Sequence, residues 1–526
     1  MTFPHTFGCF RIQTNTHTGL GLFLALHATW VLCVLFMGNA RAQERHTIQG
    51  SDFEVEVNSL GNITGKGLYL LPDSISVLRF TGLWISAKRQ DSSVIGGVSL
   101  SELKHNYSPG PYHILPQNAR EWDRVYPADA QQISRHIRDY NEPGYILPQG
   151  IENWPATRPN NRPFPIAPFV DWNQNGIYEP HLGEYPYIEG HNTVLSVYSN
   201  SLTHQSSGLG APSGLECKDF TYLYWEPESR SQLLLKRVII SHFGSQPLYE
   251  FRAGVFAHIE LQQHPMQYIR SFPAWQAMSV YNLGRPQNGP HEHGFAITIQ
   301  FLNKRLNRSM YIELDSNSVT GMPGSVEEVN HYLNGRWRNG RNLFYGNNGV
   351  DGNDPAHYVF PANQDTTNPV FSWTEENSGM EPQPKAILLS PPPEVLMPGQ
   401  SYELRYVIAL SKNLSDSLNE LSNQIQSVQQ LYKKGELSTV HPPPKTETVQ
   451  TQLYPNPAIR GSEVKLKIIS GTPTRVEIID SQGKSIGTSL TPLHNYYQMV
   501  APHTPGIYTV KIQSNIGVSN VRLVVL

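Results

Sequence analysis

The residues best suited to chemistry lie in one short run, Asp171-Trp172-Asn173-Gln174-Asn175-Gly176-Ile177-Tyr178-Glu179. Oxygen-bearing side chains stand at its first, third, fifth and ninth positions, and a glycine stands sixth. A hard cation such as calcium gathers roughly six to eight oxygens, and the chain that wraps it must turn sharply at that glycine. On this spacing Asp171, Asn173, Asn175, the Ile177 carbonyl and Glu179 form a candidate calcium loop. The twelfth position, where an EF-hand carries a bidentate glutamate, is Leu182, and Pro180 blocks an immediate helix. Glu184, two residues further on, can take that role. The competing reading is an Asx-rich turn whose side chains bond their own backbone. An ion here would be structural rather than catalytic.

Other candidates carry less. His291-Glu292-His293 sets two imidazoles on one face of a strand, but no third ligand follows at a metal-site spacing. It reads as a solvated turn after Gly289-Pro290. Asp351, Asn353 and Asp354 follow a Gly/Asn-rich stretch and read as a plain loop. The chain has no Gly-x-Ser-x-Gly elbow, no His-Glu-x-x-His, no P-loop and no dinucleotide glycine fingerprint. Glu292, Glu375 and Glu376 are candidates for an acid/base pair only in a generic sense, because such partners need not be close in sequence. Trp122, Trp154, Trp172, Tyr185 and Tyr187 could stack on sugar rings or simply pack a proline-rich loop.

The elements that must position these residues are mostly strands. Strand-like runs recur at Phe53 to Val57, Val77 to Ala87, Val194 to Tyr198, Phe220 to Trp225, Leu233 to Ser241, Leu248 to His258, Phe295 to Leu302, Met310 to Leu314 and Tyr402 to Leu410, many of them alternating apolar with polar residues. Gln131 to Tyr140 has the composition of a short helix. Glu142 to Pro168 is dense in proline and reads as an extended, ordered loop. One long amphipathic helix is predicted over Asn413 to Lys434, where Leu414, Leu418, Leu421, Ile425, Val428 and Tyr432 share a stripe. Asn413 or Ser415 would cap it, and Gly435 would end it. The fold class is mainly β: a multi-strand body ending in one amphipathic helix, then a small C-terminal β-sandwich.

Four segments follow. Residues 1–42 read as a signal peptide, with Arg11, the apolar run Leu20 to Met37 and the cleavage triplet Ala40-Arg41-Ala42. Residues 43–435 are a β-rich body, 436–449 a linker containing His441-Pro442-Pro443-Pro444, and 450–526 a separate terminal domain. A net charge of -3 over 526 residues gives no basic footprint, so nucleic acid is excluded as a partner. Cys9 and Cys33 fall in the leader, which leaves Cys217 alone in the mature chain as a buried, inert thiol.

The terminal segment carries Leu453-Tyr454-Pro455-Asn456-Pro457, then "VEIIDSQGKSI", "PGIYTVKI" and a closing "VRLVVL". In this order the pieces resemble the type A C-terminal sorting domain of proteins exported by the type IX secretion system of Bacteroidota. The resemblance implies passage through the periplasm to the medium or the outer-membrane surface. The implied partners are the secretion machinery, its sortase-like peptidase and surface lipopolysaccharide. The stretch from Trp154 to Gly190, with Gly82-Leu83-Trp84-Ile85 and the turn Ser108 to Pro111, resembles a group of uncharacterised secreted proteins of that phylum. It departs from them after about Val255, where the group carries an Asp-rich stretch. No activity comes with that resemblance. Two functions remain in play: a non-enzymatic surface or secreted protein with a structural, adhesive or binding role, or a secreted hydrolase or glycan-binding protein. Glycans are partners on the second.

Overall fold

The structure, a computed structural model, describes residues 44–526 apart from 51–52, 72–74, 102–103, 113, 115–119, 157–165, 201–212, 226–231, 262–265, 283–293, 315–316, 366–371, 415–417, 438–450, 469–472, 481–483, 488–489, 494–495 and 515–516. The segment read as a signal peptide, the His291-Glu292-His293 run and nearly all of the expected linker therefore lie outside the described residues. Two antiparallel nine-stranded sheets make the body. The first runs in the order Arg45–Gln49, Phe53–Asn58, Ile63–Leu70, Ile75–Lys88, Leu248–Ile259, Lys385–Ser390 and Arg308–Ile312. The second runs Tyr268–Phe272, Ala277–Asn282, Gly294–Phe301, Ser401–Leu414, Gln232–His242, Leu215–Trp225, Asn192–Asn200 and Ser108–Pro109. All nine predicted strands are present.

Alternation explains how the second sheet is buried on both faces. Leu234, Val238 and Ile240 join the core shared with the first sheet, while Leu233 and Leu235 join a second core on the opposite side. The same split separates Val194 and Tyr198 from Leu195 and Val197. Successive strand residues point to opposite faces, so a fully covered strand reads as a continuous apolar run. Burying each such leucine contributes about 1.5–3 kcal/mol.

Helices and irregular chain supply the covers. Helix α1, Ala130–Asp139, starts at Asp129, whose carboxylate accepts the Gln132 N–H at 2.8 Å. A short turn of helix, α2 (Gln149–Glu152), interrupts the proline-rich stretch that was expected to contain no regular element. Helix α3, Val326–Leu333, packs against the first sheet through Tyr332, whose ring lies 6.4 Å from that of Trp84. Ser325 caps α3 by accepting from the Glu328 N–H, and the Glu328 carboxylate accepts from Gly324 N–H. Helix α4, Asn419–Lys433, buries Leu421, Ile425 and Val428.

Helix α4 starts later than the predicted Asn413. The Ser401–Leu414 strand continues as far as Leu414, which pairs with Gly294, so ladder hydrogen bonds hold the residues that were expected to begin the helix. Asn413 is therefore in a strand, and Ser415 lies outside the described residues. Leu437, placed in the linker by sequence, is buried in the second core. Among the described residues no helix is long and apolar enough to cross a membrane.

The tail forms two four-stranded sheets, Thr451–Tyr454, Glu463–Ile468, Tyr496–Val500 and Thr491–Leu493 against Ser485–Ile486, Pro473–Ile479, Gly506–Ser514 and Gly517–Val525. Val464, Leu466, Val476, Ile478, Tyr508, Val510 and Ile512 face one core, as their alternation predicts.

Candidate functional site

The oxygen-rich loop belongs to the layer that covers the outer face of the second sheet. A two-stranded ribbon, Phe169–Val170 with Tyr185–Pro186, brings its ends together. Tyr178 OH donates to the Ile151 carbonyl of α2 at 2.7 Å, and Trp172 Nε1 donates to the Gly183 carbonyl at 2.9 Å. Two glycines set the path. Gly176 has φ +75°, in the left-handed region that costs a side chain, and supplies the sharp turn expected at the sixth position. Gly183 has φ +93°, and a Cβ there would lie 2.7 Å from the Tyr140 ring of the segment after α1.

That second turn folds Glu184 back under the loop. Glu184 is 1% exposed. Its Oε1 accepts from Trp172 N–H at 3.2 Å and its Oε2 from Glu179 N–H at 2.6 Å. Leu182, at the twelfth position, points to solvent instead. His136 of α1 fixes the same point from behind: Nε2 lies 3.1 Å from the Glu184 carbonyl and Nδ1 lies 3.0 Å from Tyr145 OH. Sequence reasoning missed this histidine, although it shares the buried face of α1 with Ala130 and Ile133.

The loop's oxygens turn inward on a dense hydrogen-bond set. Asp171 Oδ2 accepts from Gly176 N–H at 2.8 Å, Asn173 Oδ1 from Asn175 N–H at 3.0 Å, and Asn175 Oδ1 from Ile177 N–H at 2.7 Å. Glu179 Oε2 accepts from the side-chain amides of both Asn173 and Asn175 at 2.7 Å. The Asn173 and Asn175 bonds to the N–H two residues on are Asx turns, as the competing reading has them. One atom stays outside them: Asp171 Oδ1 is buried without a hydrogen-bond partner. Burial, followed by repulsion from Asp171 and Glu179, pushes the Glu184 carboxyl up to about 7 against the two N–H groups that favour its charge.

The donor set is oxygen only, which suits a hard cation. Asp171, Glu179 and Glu184 supply charge, while the Asn173 and Asn175 amides and the Ile177 carbonyl supply neutral oxygens. Among the described residues no group of three or more His, Cys, Asp or Glu side chains is disposed to hold a metal ion by itself. A cation in this loop would therefore need the amide and carbonyl oxygens too, with the two asparagine amides turned away from Glu179.

The remaining candidates are placed elsewhere. Asp351 pairs with Arg341 at 3.0 Å on the surface. Glu375 is buried against Lys385 at 2.7 Å, and Tyr281 OH donates to Glu376. Trp154 and Tyr185 are buried in the second core, with Trp122 and Trp172 packed against it, so these rings form no exposed row. Cys217 is fully buried, and its thiol is pushed well above its ordinary value by that burial.

Comparisons with known proteins bear on the tail alone. A polysaccharide lyase is similar over 91% of this chain and 47% of its own, at 10% identity and a TM-score of 0.27. This chain thus spans about half the length of that lyase. A BSP domain of a biofilm-associated protein is similar over 91% of this chain and 80% of its own, at 8% identity and a TM-score of 0.13. A Lin-41 filamin domain is similar over 14% of this chain and 91% of its own, at 17% identity and a TM-score of 0.12. Scores this low carry no argument about the body. No curated protein matches the chain. Residues 452–526, by contrast, match the family described as the secretion system C-terminal sorting domain. The tail is a type IX secretion sorting domain, and the protein is exported through the periplasm to the cell surface or the medium.

Proposed function

We propose that the exported body is a non-enzymatic protein with a structural, adhesive or binding role, and that calcium in the Asp171 loop stiffens its outer layer. The observation that carries this reading is the Asp171 carboxylate oxygen, buried without a hydrogen-bond partner in a loop where Asp171 and Glu179 both repel the buried Glu184 carboxyl. Like charges held close without a counter-charge favour a cation among them. Glu375 and Glu376 bear on the alternative, a hydrolase, while Glu292 lies outside the described residues. Both were acid/base candidates, and both are engaged, one by a buried lysine and the other by a tyrosine. The sortase-like peptidase and surface lipopolysaccharide complete the reading, since a sorting domain removed at the surface would leave the body attached there.

Two experiments test it. Melting curves of the secreted protein in calcium and in chelator should differ, and Asp171→Ala should erase the difference; superimposed wild-type curves would remove the ion from the proposal. Cells making a form truncated after residue 450 should retain it in the periplasm. Equal surface display of the full and truncated forms would break the link between tail and destination.

A further inference from the structure

A cleft of about 600 Å³ opens where the chain crosses from the second sheet to the first, between the Gln232–His242 and Leu248–Ile259 strands. Residues distant in sequence meet there: Arg89 and Asp91 from the turn after Ile75–Lys88, Tyr112, and His242, Phe243 and Gln246 from the crossing itself. The Tyr112 and Phe243 rings stack, with centroids 5.5 Å apart and planes within 12°. Tyr112 is held in place by its backbone N–H, which donates to the buried Glu216 carboxylate at 2.9 Å. His242 is 1% exposed, and its Nδ1 is buried without a hydrogen-bond partner. The chain makes room for this ring at Gly244, where a Cβ would lie 2.6 Å from Nε2.

We propose that this cleft binds a neutral pyranose unit of a glycan. The inference rests on a binding role for the exported body and takes its ligand from the alternative reading, on which glycans are the partners. A pyranose has an apolar C–H face and a rim of hydroxyls. The first suits a flat aromatic wall, and the second suits a set of short polar arms. Arg89 and Asp91 bring opposite charges to one cleft, so neither an anionic nor a cationic ligand is favoured. Burial lowers the imidazole's proton affinity, against the pull of the Met397 and Leu396 carbonyls, so the ring adds no positive charge to the cleft. The cleft volume accommodates one or two sugar rings within the usual range of small-molecule sites.

The test is saturation-transfer NMR on the secreted protein with methyl glucoside, methyl galactoside, methyl mannoside and N-acetylglucosamine. At least one should show saturable transfer to its ring protons. Tyr112→Ala should weaken that binding about tenfold through loss of the stacking wall. Gln246→Ala, on an exposed turn, guards against a folding defect and should weaken binding as well. Absence of transfer from all four sugars overturns the proposal, as does binding unchanged in both variants. Running the series in calcium and in chelator separates the two readings: sugar binding that persists in chelator stands without the ion, and a calcium effect on melting without sugar binding leaves only the loop.

Discussion

Glu184 and Glu375 are both fully buried carboxylates, yet the chain compensates them in different ways. Glu375 meets Lys385 Nζ at 2.7 Å and accepts from Ile269 N–H at 2.5 Å. Glu184 meets two backbone N–H groups and two further carboxylates, with no cationic side chain among its hydrogen-bond partners. Burial raises both groups; Lys385 then pulls Glu375 back down, while Asp171 and Glu179 drive Glu184 further up. The first site is finished by the sequence. The second, on the proposed reading, is finished from solution, by a proton or a calcium ion.

The largest effect should come from breaking the finished pair. Lys385→Met leaves Glu375 buried and unpaired, which costs about 3–5 kcal/mol. Thermal unfolding of the variant measures this, and a loss under about 1 kcal/mol would mean that Glu375 is not held by charge. Supplying the missing charge at the other site should come next. Calcium at a hundredfold excess over its dissociation constant stabilises by about 2.7 kcal/mol, and Asp171→Ala should remove that gain without changing stability in chelator by a comparable amount.

Titration sharpens the contrast further. The folded Glu184 carboxyl sits near 7, above its ordinary value of 4.5, so between those values the folded state binds more protons than the unfolded chain. In chelator, stability should therefore rise as pH falls from about 8 towards 5, by roughly 1–3 kcal/mol. In excess calcium the proton and the ion compete, so calcium affinity should fall over the same range. Denaturant melts at several pH values, with and without chelator, check both slopes; parallel slopes would show that Glu184 does not face the ion. The smallest effect concerns Cys217, two residues from Asp219, whose carboxylate pairs with buried Lys236 at 2.9 Å. Maleimide should leave this thiol unlabelled under native conditions, and rapid labelling would show that the strand opens around the pair.

Strand positions were legible because alternation is local, and a short apolar run such as Leu233 to Leu235 marks a strand covered on both faces. Helix α3 was missed despite the Ser325-to-Glu328 spacing that signals a capped start, because its run is short and carries charges. The start of α4 was misplaced because strand pairing overrode a helical stripe, a tertiary choice that no single-chain periodicity records. At the loop, the oxygen spacing could be read, but the burial of Glu184 against two backbone N–H groups could not. That depends on Gly183 folding the chain under itself and on His136 arriving from another element. The Tyr112–His242 cleft had no sequence signature at all, since it is assembled from segments more than a hundred residues apart.

The Ser401–Leu414 strand lies in the middle of the second sheet, between Gly294–Phe301 and Gln232–His242, although it is the last strand of the body in chain order. Until it arrives, the sheet exists as two fragments, each with an unpaired edge capable of recruiting another chain. Closing it requires contacts between residues far apart in sequence, which makes folding slow. A translocating or newly made chain thus carries two sticky edges until nearly the whole body is available. Shortening the body by a few dozen residues at its end would not trim a periphery. It would remove the keystone and leave an aggregating pair of half-sheets.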